Sequence, residues 1–323
     1  DHTPDHHLLG ANALLAVSLA VAKAAAHTAE LSLARYFQPE GKLLIPMPMV
    51  NILSGGAHAN RTMDIQDVLV LPNGATSFAE ALSWVVAIRE LAASKGAKSG
   101  AITHLIADEG GLGIAFPTID NALEFVTNCI TEVGLKPEKD VSLAIDVAST
   151  QFFDGTNYNL TALGKEFSRE EFVAFIAKMA SDHPILSIED PFAEDDWQSW
   201  TQFMAKAPSK LQVLGDDLFT TNLARLQRGI DEKSANAILI KANQNGLVTS
   251  TQKVLTTAQA NNFKTVVSAR SGETEDSWLA DLATGWRASQ IKVGSTHGAD
   301  RTAKWNRLLE LEATENCEFA KPF

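Results

Sequence analysis

The chain has 323 residues, 45% of them apolar, enough to bury one large core or two modest ones. Its 39 acids against 27 lysines and arginines leave a formal charge of -12, which excludes a sequence-blind nucleic-acid binder, since such a protein needs a basic face against phosphates. Cys129 and Cys317 are the only cysteines and lie far apart, so neither a disulfide scaffold nor a thiolate metal site is expected, and a reducing, cytoplasmic setting fits.

The chain opens on Asp1 with no basic segment ahead of its first apolar stretch, so the expectation is of no secretory signal and of a chain that begins mid-protein. His2, His6 and His7 sit at a polar terminus without a further ligand group and read as disordered rather than as a metal site. Leu8–Ala26 is nearly long enough to span a bilayer, but Asn12, Ser18 and Lys23 interrupt it and alanine dominates it. It reads as a buried, tightly packed helix, with no membrane span. Residues 1–40 are helical throughout and read as the tail of a separate N-terminal domain, leaving 41–323 as the main domain.

From Pro46 the pattern changes. Met47–Leu53 and Ile65–Leu71 read as strands joined by a loop that carries His58. Helices follow at Phe78–Lys95 and Thr118–Val133, with Gly96 and Gly134 as their stops. Between the helices lies LIADEGGLG, Leu105–Gly113, an acid pair followed by two glycines. Thereafter strands and helices alternate. The strands end on Asp146 (VSLAID), Glu189 (PILSIEDP), Asp216 and Asp217 (LQVLGDD), Lys241 (AILIK), Arg270 (TVVSAR) and Lys292 (SQIK). The intervening helices are Arg169–Ser181, Trp197–Ala207, Thr221–Glu232, Thr249–Asn261, Glu275–Arg287 and Arg301–Ala313.

Two strands, two helices and six strand-helix units make eight strands, so a closed β/α barrel is the economical α/β fold. An open doubly wound sheet could show the same alternation, but no Gly-x-Gly-x-x-Gly follows a first strand. In a barrel the carboxyl ends of the strands carry the chemistry. Asp146, Glu189 and Asp216 would converge there and repel one another unless a hard cation holds them, and all-oxygen ligands suit Mg²⁺ better than Zn²⁺. The plainer alternative is that each acid caps a helix or pairs with a lysine. Lys241 and Lys292 emerge from buried strands, and a lysine desolvated beside another cation can act as a base although its ordinary pKa is about 10.4. Its pKa is therefore expected to fall. A structural ion pair is the alternative. Arg270 with Ser271 offers a fork and a hydroxyl, a grip for phosphate or carboxylate.

Several segments carry a family resemblance. GANALLAVSLAVAKAAA, DIQD, ADEGG, AIDVAS, SIEDPF, LGDDLFTTN, ILIKANQNG, VVSARSGETED, QIKVGS and DRTAKWNRLLELE resemble enolase segments, in enolase order, from about residue 8 to about residue 313. The resemblance implies an enolase-type barrel, a Mg²⁺-dependent dehydration of 2-phosphoglycerate, and a homodimer or higher homo-oligomer. It implies Asp146, Glu189 and Asp216 as ligands of one Mg²⁺, with a second site completed by substrate and an N-terminal loop. By the same resemblance Lys241 is the base for the C2 proton and Glu109 the acid that helps the C3 hydroxyl leave. Lys292 stabilises the enolate carboxylate, Arg270 and Ser271 hold the phosphate, and His58, Gln66 and Asp67 line the pocket.

The chain also departs from the family. Enolase has Glu where this chain has Asp67 and His where it has Ala269. LGIAFP follows ADEGG in place of a Phe-Ala-Pro-type continuation, and His297–Asp300 replaces an SRSD-like segment. The family's N-terminal domain is mostly absent from the sequence. Two further readings therefore stand beside the first: a paralogue acting on a related phosphorylated or phosphonate carboxylic acid, and a non-catalytic scaffold that kept the barrel.

Overall fold

The computed structural model describes residues 3, 6–59 and 63–323; His2 lies outside them. Two helices come first, α1 (Ala11–Thr28) and α2 (Leu33–Phe37), then β1 (Leu43–Ile45), β2 (Met47–Ser54) and β3 (Asp67–Leu71). The long helices α3 (Phe78–Lys98) and α4 (Ile119–Glu132) follow, and β4 (Ser142–Asp146) precedes a hairpin of β5 (Tyr158–Leu160) and β6 (Lys165–Phe167). Next are α5 (Arg169–Asp182), β7 (Ile185–Glu189), α6 (Trp197–Met204), β8 (Gln212–Gly215), α7 (Leu223–Glu232) and β9 (Ala237–Ile240). The chain ends with α8 (Ala242–Asn245), α9 (Val248–Ala260), β10 (Lys264–Ser268), α10 (Trp278–Gly285), β11 (Gln290–Lys292), α11 (Ala299–Thr314) and β12 (Cys317–Phe319).

Eight of these strands close into a barrel in the order β10-β11-β2-β3-β4-β7-β8-β9, the closure expected from the alternating pattern. β3 runs antiparallel to both neighbours, whereas the other pairings are parallel. That reversal puts the first residue of β3, Asp67, at the rim where the other strands end, opposite Ser54 and Asp146.

Strands buried on both faces read as continuous apolar runs, and their period of two decides which residue enters the barrel. Ala237 and Leu239 of β9, Leu69 and Leu71 of β3, and Met47 and Met49 of β2 fill the interior. Ile238, Ile240, Val68 and Val70 face the surrounding helices. The interior also holds a polar layer, in which Gln290 donates to Gln212 at 2.7 Å and Gln212 to Ser187 at 3.0 Å. Continuing the inward parity by one step reaches the rim. There it delivers Asn51, Asp67, Asp146, Glu189, Asp216, Lys241, Ser268 and Lys292 from the eight strands in turn.

Two expectations change. α1 is not buried all round: Leu15, Leu19, Ala22 and Ala26 form the buried stripe, while Val17 and Val21 are exposed. By length and composition α1 could cross a membrane, yet its stripe packs on α2, α8 and α9. Gly96 does not stop α3. It is inside the helix, where a Cβ would come within 2.5 Å of Ile114, so close packing rather than termination requires it. His6 Nε2 lies 3.1 Å from the Asn245 carbonyl. The short pairs β1–β12 and β5–β6 carried no readable period.

Candidate active site

Four carboxylates, Asp67, Asp146, Glu189 and Asp216, share the inward rim with two ammonium groups, Lys241 and Lys292. All are buried or nearly so, and the arrangement is an alternation of charge. Lys292 Nζ donates to Asp146 Oδ2 and to Glu189 Oε2, each at 2.8 Å. Lys241 pairs with Asp216, whose other oxygen accepts from Gln244 at 3.3 Å. Gln66 reaches Asp146 at 3.2 Å and in turn accepts from Gln151 at 2.7 Å.

The second half of the site comes from loops. The glycines of the ADEGG segment let it lie on the end of β2, since a Cβ on Gly111 would sit 2.4 Å from the Ser54 hydroxyl. Gly110 has φ +83°, a conformation that disfavours side chains. Glu109 is thereby held nearly buried, with its backbone carbonyl accepting from Ser295 N at 2.8 Å. The Ser271 hydroxyl lies 3.4 Å from Glu109 Oε1 and 3.1 Å from His58 Nε2. His58 Nδ1 is 3.4 Å from Asp67 Oδ2, an ion-pair distance rather than a hydrogen bond. Asp67 Oδ1 accepts from Asn51 at 2.6 Å and from Ser54 at 3.0 Å. The Arg270 side chain is exposed at the rim and has no acidic partner among the described residues.

Burial and crowding set the protonation states. Glu189 is pushed well above the usual carboxylate range by burial and by Asp146, which Lys292 only partly offsets. Asp67 is raised by burial to about 6 and Asp217 to about 6 by burial and Asp216. For Asp146, burial pushes upward but the Lys292 ammonium outweighs it and the net shift is downward. Burial lowers His58, yet the Asp67 carboxylate carries it above its ordinary value. The expected fall at Lys241 is reversed. Desolvation does push it down, but Asp216 and Glu189 more than compensate, and its ammonium is held above the usual lysine value.

His58, Gln66, Glu109, Asp146, Asp216, Lys241, Arg270, Ser271 and Lys292 line one cavity of about 160 Å³, and of the candidate site residues Asp67 and Glu189 are not part of its lining. A larger hollow of about 720 Å³ lies between α5 and α6, lined mainly by apolar side chains. Asp190, Asp217 and Ala148 also line the smaller cavity. The acid doublets Glu189-Asp190 and Asp216-Asp217 were the signal for the first two. Carboxylate oxygens of Asp190, Asp216 and Asp217 lie within 4.8 Å of one another, a group that could hold a metal ion, as could His58, Asp67 and Glu109. Asp190 is already engaged, accepting from the amides of Asp216 at 3.0 Å and Asp217 at 2.8 Å. It fixes the turn that presents them.

The donor set fits a hard divalent cation. The donors are carboxylate oxygens, more numerous than the lysines can neutralise, and Glu189 Oε1 is buried with no hydrogen-bond partner among the described residues. The family model described as Enolase, C-terminal TIM barrel domain, matches residues 42–320. The chain belongs to this family. An enolase-family barrel whose rim gathers acidic groups able to hold a metal fits a Mg²⁺-dependent, enolase-like chemistry.

Proposed function

We propose that this chain is a hydro-lyase that dehydrates 2-phosphoglycerate to phosphoenolpyruvate, with Asp146, Glu189 and Asp216 as the Mg²⁺ ligands. The observation that carries the reading is the convergence of two buried lysines, an acid and an arginine with no acidic partner among the described residues on one cavity. A proton beside a carboxylate is weakly acidic and becomes removable only when positive charge neutralises the dianion that forms. Mg²⁺ at those three acids would supply that charge and release both lysines from their carboxylate partners.

In this reading Lys241 takes the C2 proton. Lys292 faces the substrate carboxylate, and the Arg270 fork with the Ser271 hydroxyl holds the phosphate. Glu109, which lines the same cavity as Lys241 and lies 3.4 Å from the Ser271 hydroxyl, delivers a proton to the departing C3 hydroxyl. His58 and Gln66 wall the cavity and orient Ser271 and Asp146. We further assign residues 1–40 to the end of a preceding domain, 41–323 to the catalytic barrel, the protein to the cytoplasm, and the working form to a homo-oligomer.

Conversion of 2-phosphoglycerate by the whole chain, followed by ultraviolet absorbance of the enol product, tests the reading. Turnover with Mg²⁺ that stops on chelation is expected. A second reading, a related phosphorylated or phosphonate carboxylic acid as substrate, is favoured by Asp67, whose short carboxylate is drawn back onto Asn51 and Ser54. Turnover of such an acid but not of 2-phosphoglycerate would select it. No turnover and no proton exchange on any of them would leave the scaffold reading.

A further inference from the structure

Part of the site is carried on loops, and one buried side chain touches the backbone of three segments that build it. Arg301, in the first turn of α11, is 1% exposed. Its Nη1 donates to the carbonyls of Arg270 at 2.7 Å and Val293 at 3.3 Å. Its Nη2 donates to the carbonyls of Ser271 at 2.6 Å and Asp108 at 3.3 Å. One guanidinium therefore joins the anion-grip loop, the residue after Lys292 and the residue before Glu109. Lys304, one turn further and also 1% exposed, binds the Thr274 carbonyl and lies 3.7 Å from Glu273. Gly294 makes room for the arrangement. A Cβ there would meet the Glu109 carbonyl at 2.5 Å and Arg301 Cδ at 3.0 Å.

We propose that Arg301, supported by Lys304, is a positioning residue that sets Glu109 and the Arg270-Ser271 grip against Lys292. This deepens the reading of the site given above and rests on it. Arg301 touches no reacting atom. Four of the guanidinium's five N–H donors, those on Nη1 and Nη2, satisfy four carbonyls from three segments, which a lysine ammonium with three donors cannot do in one geometry. Lys241, the residue after β9, shares no hydrogen bond with Arg301 among the described residues, so its proton transfer should be insensitive to the clasp.

The test compares Arg301→Lys and Lys304→Met with the parent whole chain, in two reactions on 2-phosphoglycerate with Mg²⁺. One is net dehydration, which needs Glu109. The other is exchange of the C2 proton with deuterated solvent, which needs Lys241 but not Glu109. Arg301→Lys should lower dehydration about 100-fold, the cost of misplacing a reacting group by about an ångström, and lower exchange by less than about threefold. Lys304→Met, which touches only the grip loop, should raise KM roughly tenfold with kcat within about twofold. Equal losses in both reactions, as reduced folded protein would give, or no loss, would overturn the proposal. Should Arg301→Lys fail to fold, the KM-against-kcat split in Lys304→Met decides. Should the parent turn over nothing, the proposed reaction fails, and inorganic phosphate followed by ³¹P NMR reads the clasp instead. About tenfold weaker binding in Arg301→Lys or Lys304→Met then supports it, while unchanged affinity, or no binding by the parent, overturns it.

Discussion

Lys292→Met removes the cation that bridges Asp146 and Glu189, each 2.8 Å from its ammonium and each almost wholly buried. Deleting one partner of a buried ion pair costs about 3–5 kcal/mol, because the charge left behind stays desolvated. For a chain of this size each kcal/mol moves Tm by roughly 2 °C, so the expected fall is about 6–10 °C in a chelator-containing buffer. Methionine fills most of the vacated volume, so packing adds little. Mg²⁺ should restore a large part of the loss, since the ion neutralises the same oxygens, and should raise the variant's Tm more than the parent's. Calorimetric or circular-dichroism melts of both proteins, with Mg²⁺ and with chelator, measure this directly. A fall under about 2 °C in chelator would mean that the carboxylates do not depend on Lys292. Equal falls with and without Mg²⁺ would mean that the ion does not sit among them.

Asp216→Asn should weaken Mg²⁺ binding in calorimetric titration by about tenfold or more, since one ligand charge is lost; equal affinity would remove Asp216 from the site. Tyr158→Phe should destabilise the fold by about 1.5–3 kcal/mol in chemical unfolding, because the buried hydroxyl donates to Asp196 at 2.7 Å and accepts from Ala193 N at 3.1 Å. Lys264 is pulled down by burial to about 8. Between pH 8 and its ordinary 10.5 the unfolded chain binds a proton that the folded chain does not, so this group's contribution rises with pH across that window. The stability difference between parent and Lys264→Met, measured by urea unfolding from pH 7 to 11, should therefore shift in the parent's favour as pH rises. A flat difference would show that Lys264 titrates normally.

The barrel was legible because two-sided burial turns each strand into an unbroken apolar run, and the inward parity of that run places its terminal charge on the rim. Asp146, Glu189, Asp216, Lys241 and Lys292 were readable for that reason. Asp67 follows a different logic: β3 runs antiparallel, so its first residue rather than its last meets the site. Strand direction has no signature in a short apolar segment. Arg301 was hidden among the charges of an amphipathic helix, where a solvated role is the ordinary one, and only the loops packed over α11 bury it. The protonation of Lys241 could not be read either. Its sign is decided by whether Asp216 or another cation is the nearer neighbour, and that is set by side-chain placement across the rim.

The central claim is that Lys241 removes a proton from the carbon beside a substrate carboxylate. Incubating the whole chain with 2-phosphoglycerate and Mg²⁺ in deuterated solvent, and following loss of the C2 proton signal by NMR, tests that step apart from hydroxyl departure. The parent should exchange and Lys241→Ala should not, with its fold verified by circular dichroism. Exchange that persists in Lys241→Ala would contradict the account.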